Sequence, residues 1–244
     1  MSRLIRAEAL KVTTTRLLLW LGLLVAALEL LVIALHVSQD SFGSLAEAGN
    51  QRDVVSIAAV SALIALIVGI VLSAGEYTHG TAASTFLVAP VRERVVVAKL
   101  AVGALVGALL AAFAAAFAWA LAALLLTARS LPLHLGSGAA LRLLLGTIVA
   151  AAIAGAIGVG FGSISRRQTG AIVFAFIWLL VIEPLLGIAG VQRYAPGHAI
   201  ASVVEGGNQS AELLSFGAGL GLALAYMLGF AFLGALAVKG SDVT

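Results

Sequence analysis

Two glutamates stand inside long apolar stretches of this 244-residue chain, where a charged group is costly. Glu29 lies midway along the first stretch, and Glu183 lies near the end of a later one, directly before Pro184. A charge at the centre of a bilayer costs about 2.5–3.5 kcal/mol on insertion scales, so such a residue faces a bundle interior, a cavity or a partner. We therefore treat Glu29 and Glu183 as candidate translocation-pathway residues, with hydrogen-bonded packing roles as the alternative.

Few other residues have the types and spacing that catalysis or metal binding needs. The chain has no cysteine, which excludes disulfides and thiolate sites, and its four histidines lie far apart. It has no G-x-x-x-x-G-K-[ST] loop for nucleotide phosphates. Glycine occupies alternate positions from Gly158 to Gly162, but this apolar run is typical of close helix packing. We expect no catalytic site, cofactor or metal on this chain, and no enzyme activity of its own.

Six long apolar runs must position these residues. The sequence is 62% hydrophobic and 10% charged, with a mean hydropathy of +1.14, which does not fit an ordinary soluble domain. Each run has roughly 20 residues or more, enough helix to cross a hydrocarbon layer of about 30 Å. The predicted spans are residues 17–37, 54–74, 100–127, 141–164, 170–189 and 213–238. The sequence therefore predicts an all-α integral membrane protein whose single domain comprises residues 1–244.

The amino-terminal segment, residues 1–16, has the pattern of an amphipathic helix. Leu4, Ile5, Ala9 and Val12 can share one face, and the basic residues lie elsewhere. Such a helix suits the membrane interface. The basic start resembles a signal peptide, but the apolar run that follows exceeds the roughly 7–15 residues of such a peptide, so we expect an uncleaved first span.

The distribution of basic residues predicts the orientation. Ten of the 14 lysines and arginines fall on the side that holds both termini, the connection between the second and third spans, and the connection between the fourth and fifth. The positive-inside rule places that side in the cytoplasm, including the tail of residues 239–244. Because the basic residues are spread over several turns, the net charge of +3 does not indicate nucleic-acid binding.

The most specific motif follows the second span. Residues 75–81 read GEYTHGT, and a proline at 90, the basic residues Arg92 and Arg94, and Lys99 at the start of the third span follow. This stretch resembles the cytoplasmic loop of ABC-2 type transporter permeases, the membrane subunits of one class of ATP-binding cassette exporters. Glu8, Lys11, Thr15 and Arg16 resemble the interfacial start of that family, and residues 238–243 resemble a degraded form of its tail.

The resemblance implies an interfacial helix at residues 1–16, a cytoplasmic coupling helix between the second and third spans, and a short external helical hairpin at 192–212. Polar groups among small residues just outside a span also suit docking into a groove of a partner, and an ordinary solvated loop is the alternative. The candidate ATPase-coupling residues are Glu76, Tyr77, Thr78, His79, Gly80, Thr81, Thr85, Arg166 and Arg167.

The resemblance also implies a function. The implied protein is a permease subunit in a bacterial cell membrane. Such a subunit couples ATP hydrolysis by separate ATPase subunits to efflux of a hydrophobic or amphipathic substrate, such as a drug or antibiotic. ATP and Mg²⁺ would then bind the ATPase partner. The other partners would be membrane lipid and a second copy or paralogue. The alternatives are an ion-coupled secondary transporter, which needs midplane ion sites, and a non-transporting scaffold or sensor subunit.

Overall fold

The computed structural model describes residues 1–39, 47–89, 91–134, 138–205 and 213–240. Over these residues it is helical and contains no strand, and six helical stretches are long and apolar enough to cross a membrane. The prediction of an all-α protein with six such helices is confirmed, and the helices indicate a multi-pass membrane protein. The helices are α1 Ser2–Thr14, α2 Leu17–Gln39, α3 Ala48–Ser56, α4 Val60–Thr78, α5 Ala82–Val88, α6 Arg92–Ala128, α7 Gly138–Ser165, α8 Gln168–Ile177, α9 Glu183–Ile188, α10 Pro196–Glu205 and α11 Phe216–Lys239.

Helix α7 is the centre of the bundle. It packs against α4, α6, α10 and α11, and 72% of its apolar span is buried. The corresponding share is only 17% for the first, fifth and sixth spans, whose large side chains form the outer surface. The fold is therefore a core of α4, α6 and α7 with the other spans around it.

Small residues on α7 explain its close contacts with its neighbours. A Cβ atom added to Gly158 would lie 2.1 Å from the Leu66 carbonyl oxygen of α4, and one added to Gly160 would lie 2.7 Å from the backbone of Phe230 in α11. Backbones that approach this closely leave no room for a side chain. The expectation that the alternate glycines serve helix packing is thus confirmed. Gly217 and Gly221 of α11, by contrast, face open space within the chain.

Several span boundaries differ from the sequence prediction. The helix of the second span continues to Thr78, so Glu76 is helical and does not lie in a loop. Helix α6 begins at Arg92, so Lys99 lies two turns inside it instead of at its start. A tight turn joins the fourth and fifth spans, because α7 ends at Ser165 and α8 begins at Gln168. Of the predicted hairpin, α10 is described, and residues 206–212 lie outside the described residues, as does the tail beyond 240.

The bundle has two ends that differ in character. The end that we call the N-terminal face contains α1, α5, the end of α4, the start of α6, the α7–α8 turn and the end of α11. The opposite face contains α3, α10 and the start of α7. The N-terminal face contains the residues that resemble the permease motif.

Candidate functional site

Four charged residues form a network just inside the N-terminal face. The Lys99 ammonium contacts Glu8 Oε2 at 2.7 Å and Glu76 Oε1 at 2.8 Å, and donates a hydrogen bond to the Leu72 carbonyl at 3.2 Å. The Lys11 ammonium contacts Glu8 Oε1 at 2.7 Å and Glu76 Oε1 at 2.6 Å. Two acids and two lysines thus join α1, α4 and α6, and we call this set the charged network.

The charged network is largely removed from solvent. The exposed fraction of the side chain is 6% for Glu8 and Lys99 and 11% for Glu76, whereas Lys11 is 46% exposed. A buried ion needs a counter-ion and hydrogen bonds to offset its lost hydration, and each member here has at least two contacts with opposite charges. The two negative and two positive charges of the charged network therefore balance.

The neighbouring carboxylates raise the pKa of Lys11, the more exposed lysine of the charged network. Partial burial lowers the pKa of Lys11, but its hydrogen bonds to Glu76 and Glu8 outweigh this effect, so the pKa lies above the ordinary 10.5. The carboxylates therefore favour the charged ammonium.

The turn between α4 and α5 has a fixed geometry. The Thr81 N–H donates to the Glu76 carbonyl at 2.9 Å, and the Gly80 N–H donates to the Tyr77 carbonyl at 3.4 Å. This pair of bonds defines a Schellman motif, which needs a left-handed residue after the helix, and Gly80 has φ +68°. The motif orients α5 directly from the last turn of α4, the turn that contains Glu76.

The turn between α4 and α5 and the exposed side of α5 present polar groups and one large apolar side chain. Ala82 is buried and Thr85 is half-buried, whereas Leu87 is 85% exposed. We use the name α5 patch for the exposed residues Thr78, His79, Gly80, Thr81, Ser84 and Leu87. Leu87 thus gives an otherwise polar surface one large apolar side chain.

The candidate coupling residues therefore divide between two environments. Thr78, His79, Gly80 and Thr81 belong to the α5 patch. The Glu76 carboxylate belongs to the charged network, and its side chain is only 11% exposed. Tyr77 is half-buried, and the guanidinium of Arg166 lies 5.9 Å from the centre of its ring.

The α7–α8 turn contacts the end of α11. Arg166 has φ +54°, a left-handed conformation that is strained for a residue with a Cβ, and its guanidinium donates a hydrogen bond to the Ala237 carbonyl. Arg92 donates to the next carbonyl, that of Val238, at 3.2 Å. Two cations thus cap the last carbonyls of α11, where the helix dipole favours positive charge. Arg167, by contrast, is exposed.

The Glu183 carboxylate contacts three polar groups near its own helix and α10. Its Oε1 accepts hydrogen bonds from the Trp178 indole N–H at 2.9 Å and the Gly197 backbone N–H at 2.6 Å, and its Oε2 lies 3.1 Å from His198 Nδ1. The Gly197 N–H belongs to the first turn of α10, so the carboxylate caps that helix. These contacts favour the packing alternative over the pathway role. The turn Trp178–Ile182 before it is π-helical, as expected where the ring of Pro184 displaces a carbonyl one turn earlier.

Glu29 has a different environment. It is fully buried, on the same face of α2 as Val25 and Ile33, and among the described residues neither carboxylate oxygen has a hydrogen-bond partner. Buried polar groups are normally paired, and an exception calls for an explanation. Glu29 therefore remains the candidate for a role inside the membrane.

Sequence reasoning missed the charged network. Glu8 lies on the apolar face of α1, and Lys99 lies in an apolar part of α6, and both placements are signals of buried charge. Glu8, Lys11, Glu76 and Lys99 all belong to the two motifs that resemble permeases, so these motifs meet in space. No family model matches the chain, and no curated protein matches it.

Proposed function

We propose that this chain is the membrane subunit of an ATP-driven exporter and belongs to the ABC-2 type permeases. In this proposal the N-terminal face lies in the cytoplasm of a bacterial cell, and separate ATPase subunits bind to the α5 patch. A second copy or a paralogue completes the transporter. The α1 helix lies in the membrane interface, and α10 is part of the external hairpin.

The observation that carries the proposal is the α5 patch and its connection to the bundle. The patch combines an exposed leucine with hydroxyl and imidazole groups, which suit a shallow groove on a protein partner. The basic residues around it, among them Arg167 and Lys239, are those that predict the cytoplasmic side.

In this proposal, a continuous series of contacts joins α5 to α4, α1 and α6. A partner that moves α5 acts on α4 through the Schellman motif at Gly80, and the Glu76 side chain begins one turn before that glycine. The charged network then transfers the movement to α1 through Glu8 and to α6 through Lys99. We infer that α1, α4 and α6 move together when the ATPases close, which opens a path for cargo between subunits. The apolar outer surfaces favour a hydrophobic or amphipathic cargo.

The test is recovery of the partner with a surface variant. Leu87→Asp places a charge in the α5 patch, and we expect it to lose the co-purifying ATPase and nucleotide-dependent efflux of a hydrophobic dye from sealed vesicles. Leu133→Asp is the matched control, because Leu133 is 53% exposed on the opposite face. Full efflux and ATPase recovery with Leu87→Asp would contradict the proposal.

A second candidate, ion-coupled secondary transport, is favoured by one observation, the buried and unpartnered carboxylate of Glu29. A carboxyl group in this position can carry a proton across the midplane region. Uptake or efflux driven by a proton gradient in vesicles without an ATPase, lost in Glu29→Gln, would favour this candidate. Transport by the parent protein that does not depend on a proton gradient would exclude ion-coupled secondary transport.

A further inference from the structure

A cavity of about 630 Å³ lies in the half of the bundle away from the charged network. Its walls come from α4, α7, α8, α10 and α11. Helix α8 packs on α4 and α7, whereas α11 packs on α7 and α10, and residues of both α8 and α11 line the cavity. The volume lies within the range of about 300–1,000 Å³ that is typical of sites for drug-sized ligands.

Aromatic side chains form one part of the cavity wall. The Phe161 ring lies 5.6 Å from the Phe174 ring and 6.0 Å from the Phe230 ring, measured between ring centres. Phe174 continues this cluster to Trp178, at 6.2 Å. Residues of α10, within 196–205, form another part of the cavity wall. The result is a space with an aromatic wall that suits offset or edge-on contact with a further ring.

The polar side chains that line the cavity have partners elsewhere. The Ser56 hydroxyl donates to the Asp53 carbonyl at 2.7 Å, the Tyr226 hydroxyl donates to the Tyr194 carbonyl at 2.8 Å, and the Trp178 N–H donates to Glu183. Glu205 lies at the rim and is exposed. The interior of the cavity therefore recognises shape and apolar surface, and it has little to offer a sugar or an ion.

The cavity also borders the outer surface of the bundle. Phe174 lines the cavity and is 47% exposed, on a helix whose outward face is apolar. A molecule dissolved in the hydrocarbon layer thus reaches the cavity beside Phe174 without crossing water.

We propose that this cavity binds one uncharged, ring-containing apolar molecule, which enters from the hydrocarbon layer between α8 and α11. Such binding does not depend on ATP-driven transport, because the site lies within a single chain.

The test uses Trp178 as a reporter inside the cavity wall. In the variant Trp20→Phe/Trp119→Phe, Trp178 is the single tryptophan, since the chain has three. The protein in lipid nanodiscs is titrated with 1-bromonaphthalene, whose bromine quenches tryptophan fluorescence at close range. We expect saturable quenching that excess naphthalene, which lacks the heavy atom, reverses.

Three further variants separate binding in the cavity from partition into lipid. Ala201→Phe fills the cavity, and we expect the half-saturating concentration to rise about tenfold, the effect of losing roughly two CH₂ groups of apolar contact. Ala201→Leu, a smaller change, should give an intermediate effect. Ala189→Phe is the matched control on the exposed end of α9 and should bind as the parent does. Quenching that does not saturate, or that is equal in all four proteins, would overturn the proposal.

Discussion

Lys99 is the residue on which the charged network depends most, and its replacement by methionine tests that role. Methionine fills a similar volume but leaves Glu8 and Glu76, with side chains 6% and 11% exposed, with Lys11 as their remaining partner in the network. Removing one member of a buried ion pair costs about 3–5 kcal/mol. Lys11→Met should cost only about 0–1 kcal/mol, because Lys11 is half-exposed and solvent screens its charge.

These costs are measurable as melting temperatures in detergent. For a chain of this size, 1 kcal/mol corresponds to roughly 2–4 °C, so Lys99→Met should lower the melting temperature by about 6–20 °C. Lys11→Met should lower it by no more than about 4 °C. The double variant Lys99→Met/Glu8→Met leaves Lys11 paired with Glu76 and should recover much of the loss, which gives a coupling energy from a double-mutant cycle.

Two results would refute this reasoning. The first is a Lys99→Met protein that melts within about 2 °C of the parent, because the ion pairs would then contribute almost nothing. The second is a larger loss in Lys11→Met than in Lys99→Met, because burial would then not determine the cost.

Three further predictions concern other contacts. Gly158→Ala should destabilise by about 1–3 kcal/mol or more, because its Cβ would meet the Leu66 carbonyl, whereas Gly221→Ala has open space and should be neutral or stabilising in the same melting assay. Glu183→Leu should lower the free energy of unfolding by about 1–3 kcal/mol for each donor left unpaired, and Glu183→Gln should lower it less. Glu183→Gln should also keep transport, and its loss would indicate that Glu183 acts in the pathway. The pKa of Lys11 is raised on folding, so its contribution to stability is complete below pH 10.5 and is lost as the pH rises through the raised pKa. Because that contribution is about 0–1 kcal/mol, the melting temperature should fall by no more than about 4 °C as the pH rises above 10.5, and the fall should come at higher pH in Lys11→Arg, whose guanidinium keeps its charge. Equal profiles for the two proteins would contradict that assignment.

Much of the fold could be predicted because apolar length determines the spans. Six runs of about 20 apolar residues predict six helices whatever their order in space, since a backbone in lipid must satisfy its own hydrogen bonds. The boundaries were less predictable. Arg92 and Lys99 are charged, which led the prediction to begin the third span after Lys99, yet α6 includes both because each charge finds a partner.

The candidate site was less predictable than the fold, because its contacts join distant residues. Glu8 and Lys99 are 91 residues apart, and Lys11 and Glu76 are 65 apart. The sequence identified both motifs but contained no signal that they meet. The same is true of Glu183, which precedes its partner Gly197 by 14 residues across a helix end and a turn. Only the structure shows that the Glu183 carboxylate has hydrogen-bond partners and that, among the described residues, the Glu29 carboxylate has none.

Site-specific crosslinking from the α5 patch tests the central proposal most directly. The chain has no cysteine, so Ser84→Cys is a unique thiol on the exposed side of α5, and Ser130→Cys is its counterpart after α6 on the opposite face. We predict that Ser84→Cys reacts with a membrane-impermeant maleimide only from the cytoplasmic side and crosslinks to a soluble ATP-hydrolysing protein in cells, and that Ser130→Cys does neither. Reaction of Ser84→Cys from outside the cell, or crosslinking to that protein from Ser130→Cys alone, would contradict the proposal.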